Sequence, residues 1–401
     1  MTEALLEVKA SPLDSEMVIN MGPQHPSTHG VLRVILTLDG ERVVKADQEI
    51  GYLHTGMEKL AEYKKYNHVI TITDRMDYLN STGNNLGFVL AVEKMLELEI
   101  PPRAQAVRVI MTELQRLASH AIWIATHGLE LGAMSFFFYG FRVREMVLQL
   151  IEAACGGRMM PSYFRVGGLA RDIPDGWTQR VLDLCDTFER ETVPEIHTLL
   201  TTNPIFRART EGLGYISAEE AINWGISGPA LRGSGLAHDL RRASPYSGYE
   251  NYDFDIPTRR EGDVYARYLV RVDEMKESVK IIRQAVQKLP SGPVKANAPR
   301  IVLPDRHLMK TQMDALIYHF LITCDGFPVP AGEVYMPVES PRGELGFYIV
   351  SDGGPKPYRM HVRTPSFGNL QALPRLIEGH LVADVVAIIA SIDIVLGDVD
   401  R

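Results

Sequence analysis

The residues of this chain that could do chemistry are histidines, tyrosines and carboxylates in segments rich in glycine and proline. The candidates are His25, His29, His54, Tyr78 and Glu130. Histidine has a pKa near neutrality and tyrosine donates through its hydroxyl, so both residue types can give protons to a substrate. The sequence has neither a nucleophile elbow nor a phosphate-binding loop. This combination fits proton-coupled redox chemistry of a bound organic molecule better than hydrolysis.

The first two histidines lie in a stiff segment, residues 21–33. Its prolines remove backbone donors and fix φ, and its glycines permit turns, so the segment is not a regular helix. The spacing of His25 and His29 is like that of metal ligands, but Pro26 prevents the helix that would put both on one face, and no third ligand is indicated. Two interpretations remain open. The loop carries binding chemistry, or it is a turn-rich segment with solvated or core-capping histidines, which composition alone favours.

Composition describes a globular protein with a large core: 401 residues, a formal charge of -8 and 45% hydrophobic residues. Net acidity argues against a nucleic-acid partner. The three cysteines form no Cys-x-x-Cys pair, which indicates a reducing compartment and excludes a local thiolate metal site. The N-terminus is typical of neither a signal peptide nor a transit peptide. No apolar run approaches the ~20 residues of a membrane span, so we expect a chain that does not cross a membrane by itself.

The elements that would position the candidate residues form an α+β pattern, with small sheets at both ends of the chain and a central helical bundle. Residues 31–44 alternate and turn at Asp39-Gly40, which predicts a hairpin. We expect three regions packed as one compact unit. They are an N-terminal β-hairpin region with the histidine loop (residues 1–70), the helical bundle (71–325), and a C-terminal β region with a terminal helix (326–401).

Periodicity and boundary residues predict the individual elements. The predicted helices lead from 74–80 to residue 96, begin at Pro101-Pro102, and cover 137–155, 177–202, 263–289, 307–324 and 381–392. Pro194 predicts a kink or break in the fourth of these. The predicted strands outside the hairpin are 17–20, 333–338, 345–351 and 358–362. Residues 51–67 have the composition of a polar turn region.

Two further segments have an open interpretation. Glu113, Arg116, His120 and His127 form a polar stripe on the long helix after Pro102, for which a solvated face is the simplest expectation, more so for Glu113 than for the histidines. Residues 210–255 are irregular and rich in Gly, Pro, Ser and Tyr. A segment this long is usually functional or a partner interface, and its aromatic residues favour an ordered conformation.

Several motifs together resemble the hydrogenase-like D-type subunit of respiratory complex I, the NADH:quinone oxidoreductase. The match runs from about residue 17 to residue 401, and its motifs are as follows: Gly22-Pro-Gln-His-Pro-Ser-Thr-His-Gly-Val-Leu-Arg33, Ile50-Gly-Tyr-Leu-His-Thr-Gly-Met-Glu-Lys59, Arg75-Met-Asp-Tyr78, Glu113-Leu-Gln-Arg-Leu-Ala-Ser-His120, Tyr246-Ser-Gly-Tyr-Glu250, Arg342-Gly-Glu-Leu-Gly346 and Gly397-Asp-Val-Asp-Arg401.

The resemblance implies the fold of the nickel–iron hydrogenase large subunit without its metal. The hydrogenase pattern needs two Cys-x-x-Cys pairs, and this sequence has none, so a working hydrogenase is excluded by ligand counting. In place of the metal centre, the resemblance implies a quinone pocket, formed against the subunit that carries the terminal iron–sulfur cluster.

By the same resemblance, His29 and Tyr78 hydrogen-bond the two ends of the quinone head group and supply its protons, because a quinone dianion in a dry pocket is costly. Glu130 stands where the family has an aspartate behind His29. It keeps the charge with one more methylene, and we expect it to hold His29 as imidazolium. His25 has a supporting role.

Two positions are expected near the partner's iron–sulfur cluster. Arg75 would tune the cluster potential electrostatically. Met160 stands where many members have a histidine that makes this potential pH-dependent. Because a thioether cannot be protonated, we expect a lower and less pH-sensitive potential, which suits menaquinone better than ubiquinone. Ile394, where the family usually has proline, should have only a local backbone effect.

The resemblance also implies an assembly. The expected partners are the B-type iron–sulfur subunit, the C-type subunit and the membrane H-type subunit, with FMN and the iron–sulfur clusters held by partner subunits. We expect a peripheral subunit on the cytoplasmic side of a prokaryotic membrane, active only in a proton-pumping complex. Two alternatives remain: the same role in a complex fed by ferredoxin, deazaflavin or formate, and a scaffold in which His29 and Tyr78 only pack.

Overall fold

A computed structural model describes residues 16–401. The N-terminal sheet is antiparallel in the order β1-β2-β3. Its strands are β1 (Glu16–Met21), β2 (Arg33–Asp39) and β3 (Arg42–Glu49). In β2 every second residue is buried, as expected for a strand with one face on the core. The predicted hairpin and the first strand are confirmed, whereas the expectation for the N-terminus concerns residues that lie outside the described ones.

Five helices follow the sheet. They are α1 (Met57–Tyr63), α2 (Tyr66–Thr73), α3 (Ser81–Met95), α4 (Pro102–Glu130) and α5 (Met134–Cys155). Pro102 begins α4 at a position where its missing N–H costs nothing, and α5 ends at Gly156 with φ +88°. The turn region predicted for 51–67 was wrong in its second half, because α1 begins there after Gly56, without a capping side chain.

The next helices surround the irregular segment. They are α6 (Trp177–Thr187), α7 (Val193–Ile196), α8 (Pro204–Ala208), α9 (Ala218–Asn223), α10 (Pro229–Arg232), α11 (Leu240–Ala243) and α12 (Val264–Gln287), with the two-residue strands β4 (Phe164–Arg165) and β5 (Gly168–Leu169) before them. Pro194 does not end the predicted helix, because π-helical turns at Phe188–Thr192 and His197–Thr201 flank α7 and continue the helical path. Four aromatic residues near the end of 210–255 are buried, namely Tyr246, Tyr249, Tyr252 and Phe254, which confirms an ordered conformation there.

The C-terminal part contains a second antiparallel sheet, in the order β6-β7-β8. Its elements are α13 (Leu308–Thr311), α14 (Met313–Cys324), β6 (Gly332–Ser340), β7 (Gly343–Ser351), β8 (Arg359–Arg363), α15 (Pro365–Leu370), α16 (Leu373–Ile377), α17 (Val382–Ile392) and α18 (Leu396–Asp400). The predicted strands and the helix at 381–392 are confirmed. The helix predicted over 307–324 is divided at Gln312, whose backbone is extended.

Two hydrophobic cores organise these elements. The first lies among α3, α4, α5, α6 and α12 and under the sheet of β6, β7 and β8. The second joins the N-terminal sheet to α16, α17 and α18, so the two ends of the chain share one core. Both cores meet at α4, which packs on α5, α12 and α17. The α+β prediction is confirmed, and the division at residues 70 and 325 stays a prediction.

The polar stripe of α4 is buried. Glu113, Arg116 and His120 are 0% exposed and His127 is 1% exposed, so the expectation of a solvated face was wrong. Neighbouring elements pack around α4, and Trp123 donates to the Ala390 carbonyl of α17 at 2.7 Å. Within residues 16–401, no helix is long and apolar enough to cross a membrane.

Candidate functional site

The histidine loop is held by short contacts within itself. His25 caps a single 3₁₀ turn, Pro26–Thr28, because its Nδ1 accepts from the Ser27 amide at 3.2 Å. Gly22 has φ +89°, and a Cβ there would lie 2.1 Å from the Leu32 carbonyl oxygen. Only glycine permits this approach. The loop therefore delivers its last histidine in a defined position, and His25 itself is exposed and acts as a cap.

His29 occupies the left-handed region, with φ 52° and ψ 29°. A non-glycine residue is uncommon there, and such strain is concentrated at functional sites. The Nε2 atom of His29 is buried and has no hydrogen-bond partner among the described residues. Burial, and then the positive charge of Arg342, lowers the pKa of His29 to about 4. The side chain is therefore a neutral imidazole at pH 7, with one ring nitrogen free to bind a polar ligand.

Tyr78 lies in the turn between α2 and α3. Burial, and then the Asp77 carboxylate, raises the pKa of Tyr78, while Arg342 opposes this rise. The ring packs on Gly397 of α18, where a Cβ would lie 3.3 Å from Cε1 of Tyr78 and 2.6 Å from the Met76 carbonyl oxygen. Gly397 thus allows the C-terminal helix to support the tyrosine, which stays protonated and able to donate at neutral pH.

Arg342, in the turn between β6 and β7, joins the elements of the site. Its Nη1 donates to Asp77 Oδ2 at 2.7 Å and to Ser119 Oγ at 3.1 Å, and its Nη2 donates to Asp393 Oδ1 at 3.3 Å. The guanidinium is buried and acts on both His29 and Tyr78. The structure therefore brings the two predicted catalytic residues to one charged centre. We call this set the Arg342 cluster; it consists of His29, Asp77, Tyr78, Arg342, Asp393 and Asp398.

The two C-terminal carboxyls of the cluster carry raised pKa values. Asp393 has φ 52° at the end of α17 and lies 3.9 Å from the Arg271 guanidinium; burial raises its pKa to about 6 against Arg342 and Arg271. Asp398 Oδ2 accepts from the Ser366 amide at 3.1 Å, and burial, then Asp77, raises its pKa to about 7. Carboxyls of this kind hold a proton near neutral pH.

Glu130, the residue predicted to hold His29, is half-buried. It lies in the last turn of α4, where burial raises its pKa to about 8, so the carboxyl is mostly neutral at pH 7. No hydrogen bond or ion pair joins Glu130 to His29 in the described part of the chain, and Glu130 Oε2 has no partner there. The imidazolium contact stays a prediction for the assembled complex. It needs an ionised Glu130, which the raised pKa of Glu130 opposes at pH 7.

Arg75 and Met160 lie on segments that touch each other. Arg75 is exposed and donates to the Thr71 carbonyl at 2.6 Å, and Met160 is half-buried. Ser162 donates to the Asp74 carboxylate and thus ties the segment of Met160 to that of Arg75. Across residues 16–401, no group of three or more His, Cys, Asp or Glu side chains could hold a metal ion. The two residues remain candidates for a face toward a partner.

A second buried charge cluster lies along α4. We call it the α4 ion-pair network; its members are Glu113, Arg116, Arg232, Asp239, Arg241, Glu274 and Glu339. The carboxylate of Glu113 accepts hydrogen bonds from Arg116 at 3.2 Å, Arg241 at 3.1 Å and Tyr249 at 2.6 Å. The irregular segment 210–255 supplies three of its members, so much of that segment is structural. No feature of the segment shows a ligand site.

Sequence reasoning predicted His29 and Tyr78 as site residues but did not single out Asp77, Asp393 and Asp398, which lie in the same cluster. The signal was present, because Asp77 lies inside the Arg-Met-Asp-Tyr motif, and Arg342 and Asp398 lie inside two other motifs. Chemically, the arrangement offers a neutral imidazole and a phenol, both able to form hydrogen bonds with a ligand, beside a buried positive charge that can stabilise a developing anion.

Comparisons with known proteins agree over nearly the whole chain. Residues 130–401 match the family described as the respiratory-chain NADH dehydrogenase, 49 Kd subunit. The chain is 58% identical over 385 residues to a D-type subunit of NADH-quinone oxidoreductase from Solibacter usitatus, and the match covers 96% of this chain and 94% of that protein. It is 55% identical over 385 residues to the D-type subunit of NADH-quinone oxidoreductase from Geobacter sulfurreducens, with 96% of this chain and 98% of that protein covered.

Proposed function

Because the chain belongs to the family of the 49 kDa subunit of the respiratory-chain NADH dehydrogenase, we propose that it forms the quinone-reduction site of a proton-translocating NADH:quinone oxidoreductase. Membership confirms the resemblance found in the sequence and a hydrogenase-large-subunit-like fold, and it makes the chain a subunit of an oxidoreductase complex. The quinone site and its residues are the proposed part.

The observation that carries the proposal is the meeting of His29 and Tyr78 at Arg342. His29 Nε2 is a buried nitrogen without a hydrogen-bond partner among the described residues, held by a strained backbone. An unmade buried hydrogen bond costs about 1–3 kcal/mol, so its retention favours a ligand that completes it. Tyr78 provides a second donor from another element. Two donors around a buried cation suit a molecule with two carbonyl oxygens, such as a quinone.

The proposed chemistry is reduction by two electrons and two protons. A partner's iron–sulfur cluster supplies the electrons, and the phenol of Tyr78 gives one proton to one quinone oxygen. His29, which is neutral before the reaction, takes up a proton from solvent and passes it from the imidazolium to the other oxygen. As negative charge develops on the quinone, it favours protonation of His29, whose pKa is otherwise low because of burial and Arg342. Arg342 compensates part of that charge. After the reaction Tyr78 is reprotonated from solvent, and His29 is again a neutral imidazole.

The proposed assembly follows from the surfaces of the chain. Arg75 and Met160 would face the cluster of the B-type subunit. Met134, Phe138 and Tyr139 at the start of α5 are 66%, 68% and 36% exposed, an apolar surface that favours contact with further subunits, for which the C-type and the membrane H-type subunits are our candidates. We place the chain on the cytoplasmic side of the membrane, as a peripheral subunit.

The experiment that tests the proposal is His29→Ala in the assembled complex. We expect quinone reduction to fall by about 10²–10⁴, the usual contribution of a positioned proton donor, while NADH still reduces the iron–sulfur clusters. Spectroscopic cluster reduction and quinone turnover are measured on the same sample. His197→Ala, an exposed histidine of the bundle, is the matched control and should leave both unchanged. Unchanged quinone turnover in His29→Ala would favour the scaffold alternative.

A further inference from the structure

Asp398 is a buried carboxyl that the proposed chemistry does not use. Its side chain is 1% exposed, and Oδ1 has no hydrogen-bond partner among the described residues. Oδ2 accepts from the Ser366 amide at 3.1 Å. For residues 16–401, no lysine or arginine forms an ion pair with Asp398 within 4.0 Å, whereas Asp77 and Asp393 both contact Arg342. Asp398 is therefore the carboxyl of the Arg342 cluster with the weakest compensation.

The charges of the cluster do not balance when every carboxyl is ionised. Three carboxylates, Asp77, Asp393 and Asp398, would face two guanidinium groups, Arg342 and Arg271. Like charges at one buried site cannot all ionise, so one proton is retained near neutral pH. The geometry assigns this proton to Asp398, because the other two carboxylates have a guanidinium within 4.0 Å.

The groups that act on Asp398 come from three elements. Asp77 lies in the turn before α3, Arg342 in the turn between β6 and β7, and Ser366 in α15. The other charged residues at the end of α18, Asp400 and Arg401, form contacts elsewhere. Asp400 accepts from the amides of Gly51 and Leu53, at 2.8 and 2.7 Å, and its carbonyl lies 2.5 Å from His54 Nδ1, while Arg401 donates to Glu58 at 3.0 Å.

Tyr78 lies directly against this helix. Its ring packs on Gly397, the residue before Asp398, and both side chains lie near Arg342. A negative charge on Asp398 would therefore oppose the loss of the phenol proton and compete for the charge of Arg342. Burial and Asp77 raise the pKa of Asp398 to about 7, which places this change of charge in the working range.

We propose that Asp398 is a proton-holding positioning residue of the quinone site: protonated, it leaves Arg342 free to stabilise charge at Tyr78, and ionised, it slows quinone reduction. This inference rests on the proposed function. Its sign is fixed, because the active form is the protonated one, so the rate falls as the pH rises through the titration of Asp398.

The test is the pH profile of quinone reduction by the assembled complex between pH 6 and pH 9. We expect the wild-type rate to fall by about tenfold, the effect of one pKa unit on the proton donor, and Asp398→Asn to remove this fall. Asp384→Asn is the matched control. Asp384 is half-buried on α17 and pairs with Arg209 at 3.4 Å, and its variant should keep the wild-type profile.

A second variant, Asp398→Glu, keeps the test possible if the complex does not assemble with Asp398→Asn. Asp398→Glu keeps a titrating carboxyl, so the alkaline fall should persist with a shifted midpoint, because the extra methylene changes its surroundings. A fall with the wild-type midpoint in either variant overturns the inference. Tyr78→Phe, measured in the same assay, separates failure of the proposed function from failure of the proposed role of Asp398. If it keeps the full rate, the proposed function fails; if it loses the rate while Asp398→Asn keeps the wild-type profile, only the role of Asp398 fails.

Discussion

Two buried clusters of charged side chains lie against helix α4, and they differ in how their charges are paired. In the α4 ion-pair network, Glu274 contacts Arg232 and His120, at 2.6 and 3.0 Å. In the Arg342 cluster, by contrast, His29 Nε2, Asp393 Oδ2 and Asp398 Oδ1 are buried without hydrogen-bond partners among the described residues.

The titration behaviour of the two clusters follows this difference. Although burial opposes it, Arg232 lowers the pKa of Glu274 to about 2, and Arg116 and Arg241 hold the pKa of Glu113 below its ordinary value. In the Arg342 cluster burial prevails, and the carboxyl pKa values rise. Glu339 is the exception in the network: as the fourth carboxyl against three guanidinium groups, it has a pKa raised by burial and Asp239.

The comparison separates structure from chemistry. Every carboxylate of the α4 ion-pair network has a guanidinium partner and, among the described residues, none of its oxygens is buried without a hydrogen bond. The network therefore specifies the packing of α4, α12 and the irregular segment. A partly paired cluster costs stability, and such a cost is retained where binding or proton transfer needs it. Removing a network member should therefore damage the fold, and removing a cluster member should damage the reaction.

The largest effect is expected for Glu113→Ala. The change leaves the guanidinium groups of Arg116 and Arg241 and the hydroxyl of Tyr249 without their common acceptor. Breaking a buried pair in this way costs about 3–5 kcal/mol, so the variant should lose assembly into the complex or melt at a clearly lower temperature. The measurement is subunit content and thermal unfolding of the purified complex.

Its control is Glu219→Ala, which removes an exposed carboxylate from α9 and should leave the melting temperature unchanged. Normal assembly and melting of Glu113→Ala would contradict the structural role of the α4 ion-pair network. The proposed difference between the two clusters would then be lost.

Tyr78→Phe should show the opposite behaviour. The variant keeps the ring that packs on Gly397 and removes only the hydroxyl, so the complex should assemble and melt as the wild type does. Quinone reduction should fall by about 10²–10⁴ because one proton donor is lost. Turnover and melting are measured together. A loss of stability with retained specific activity would place Tyr78 with the network rather than with the site.

Sequence reasoning reached much of the fold because periodicity and boundary residues are local signals. The start of α4 after its two prolines, helix α5 before Gly156 and the hairpin at Asp39-Gly40 were all predicted within a few residues of their observed positions. Short helices such as α1, α16 and α18 were missed, since their stability comes from packing of distant segments.

The charged residues could not be assigned in this way. His29 and Tyr78 were predicted through family motifs, but nothing local shows that Arg342, 313 positions after His29, lies near them, because that contact depends on how the turn between β6 and β7 packs on α4. Burial of the polar stripe was missed for a similar reason. The sequence period shows which residues share a face of α4, and only the tertiary structure shows that this face is covered.

A third region, around Met160, offers a group that cannot titrate at all. If Met160 lies beside the partner's cluster, the potential of that cluster should change with pH by clearly less than ~59 mV per unit, the value for one proton per electron. Met160→His should raise the slope and the potential. Redox titration of the assembled complex at several pH values measures both, with Met159→His, an exposed neighbour, as the control. A wild-type slope near the full value would remove the argument for menaquinone.

The smallest effect is expected for Glu130→Gln, and it decides where Glu130 belongs. Burial raises the pKa of Glu130 to about 8, so only about one carboxyl in ten is ionised at pH 7, and an amide of the same shape should change quinone reduction by less than about twofold. Because the folded pKa lies above the unfolded one, the wild type loses stability as the pH rises from about 4 to 8, and the variant should melt higher at pH 9. A tenfold loss of turnover at pH 7 would show that an ionised Glu130 is needed after all, as a counter-ion for His29 within the complex.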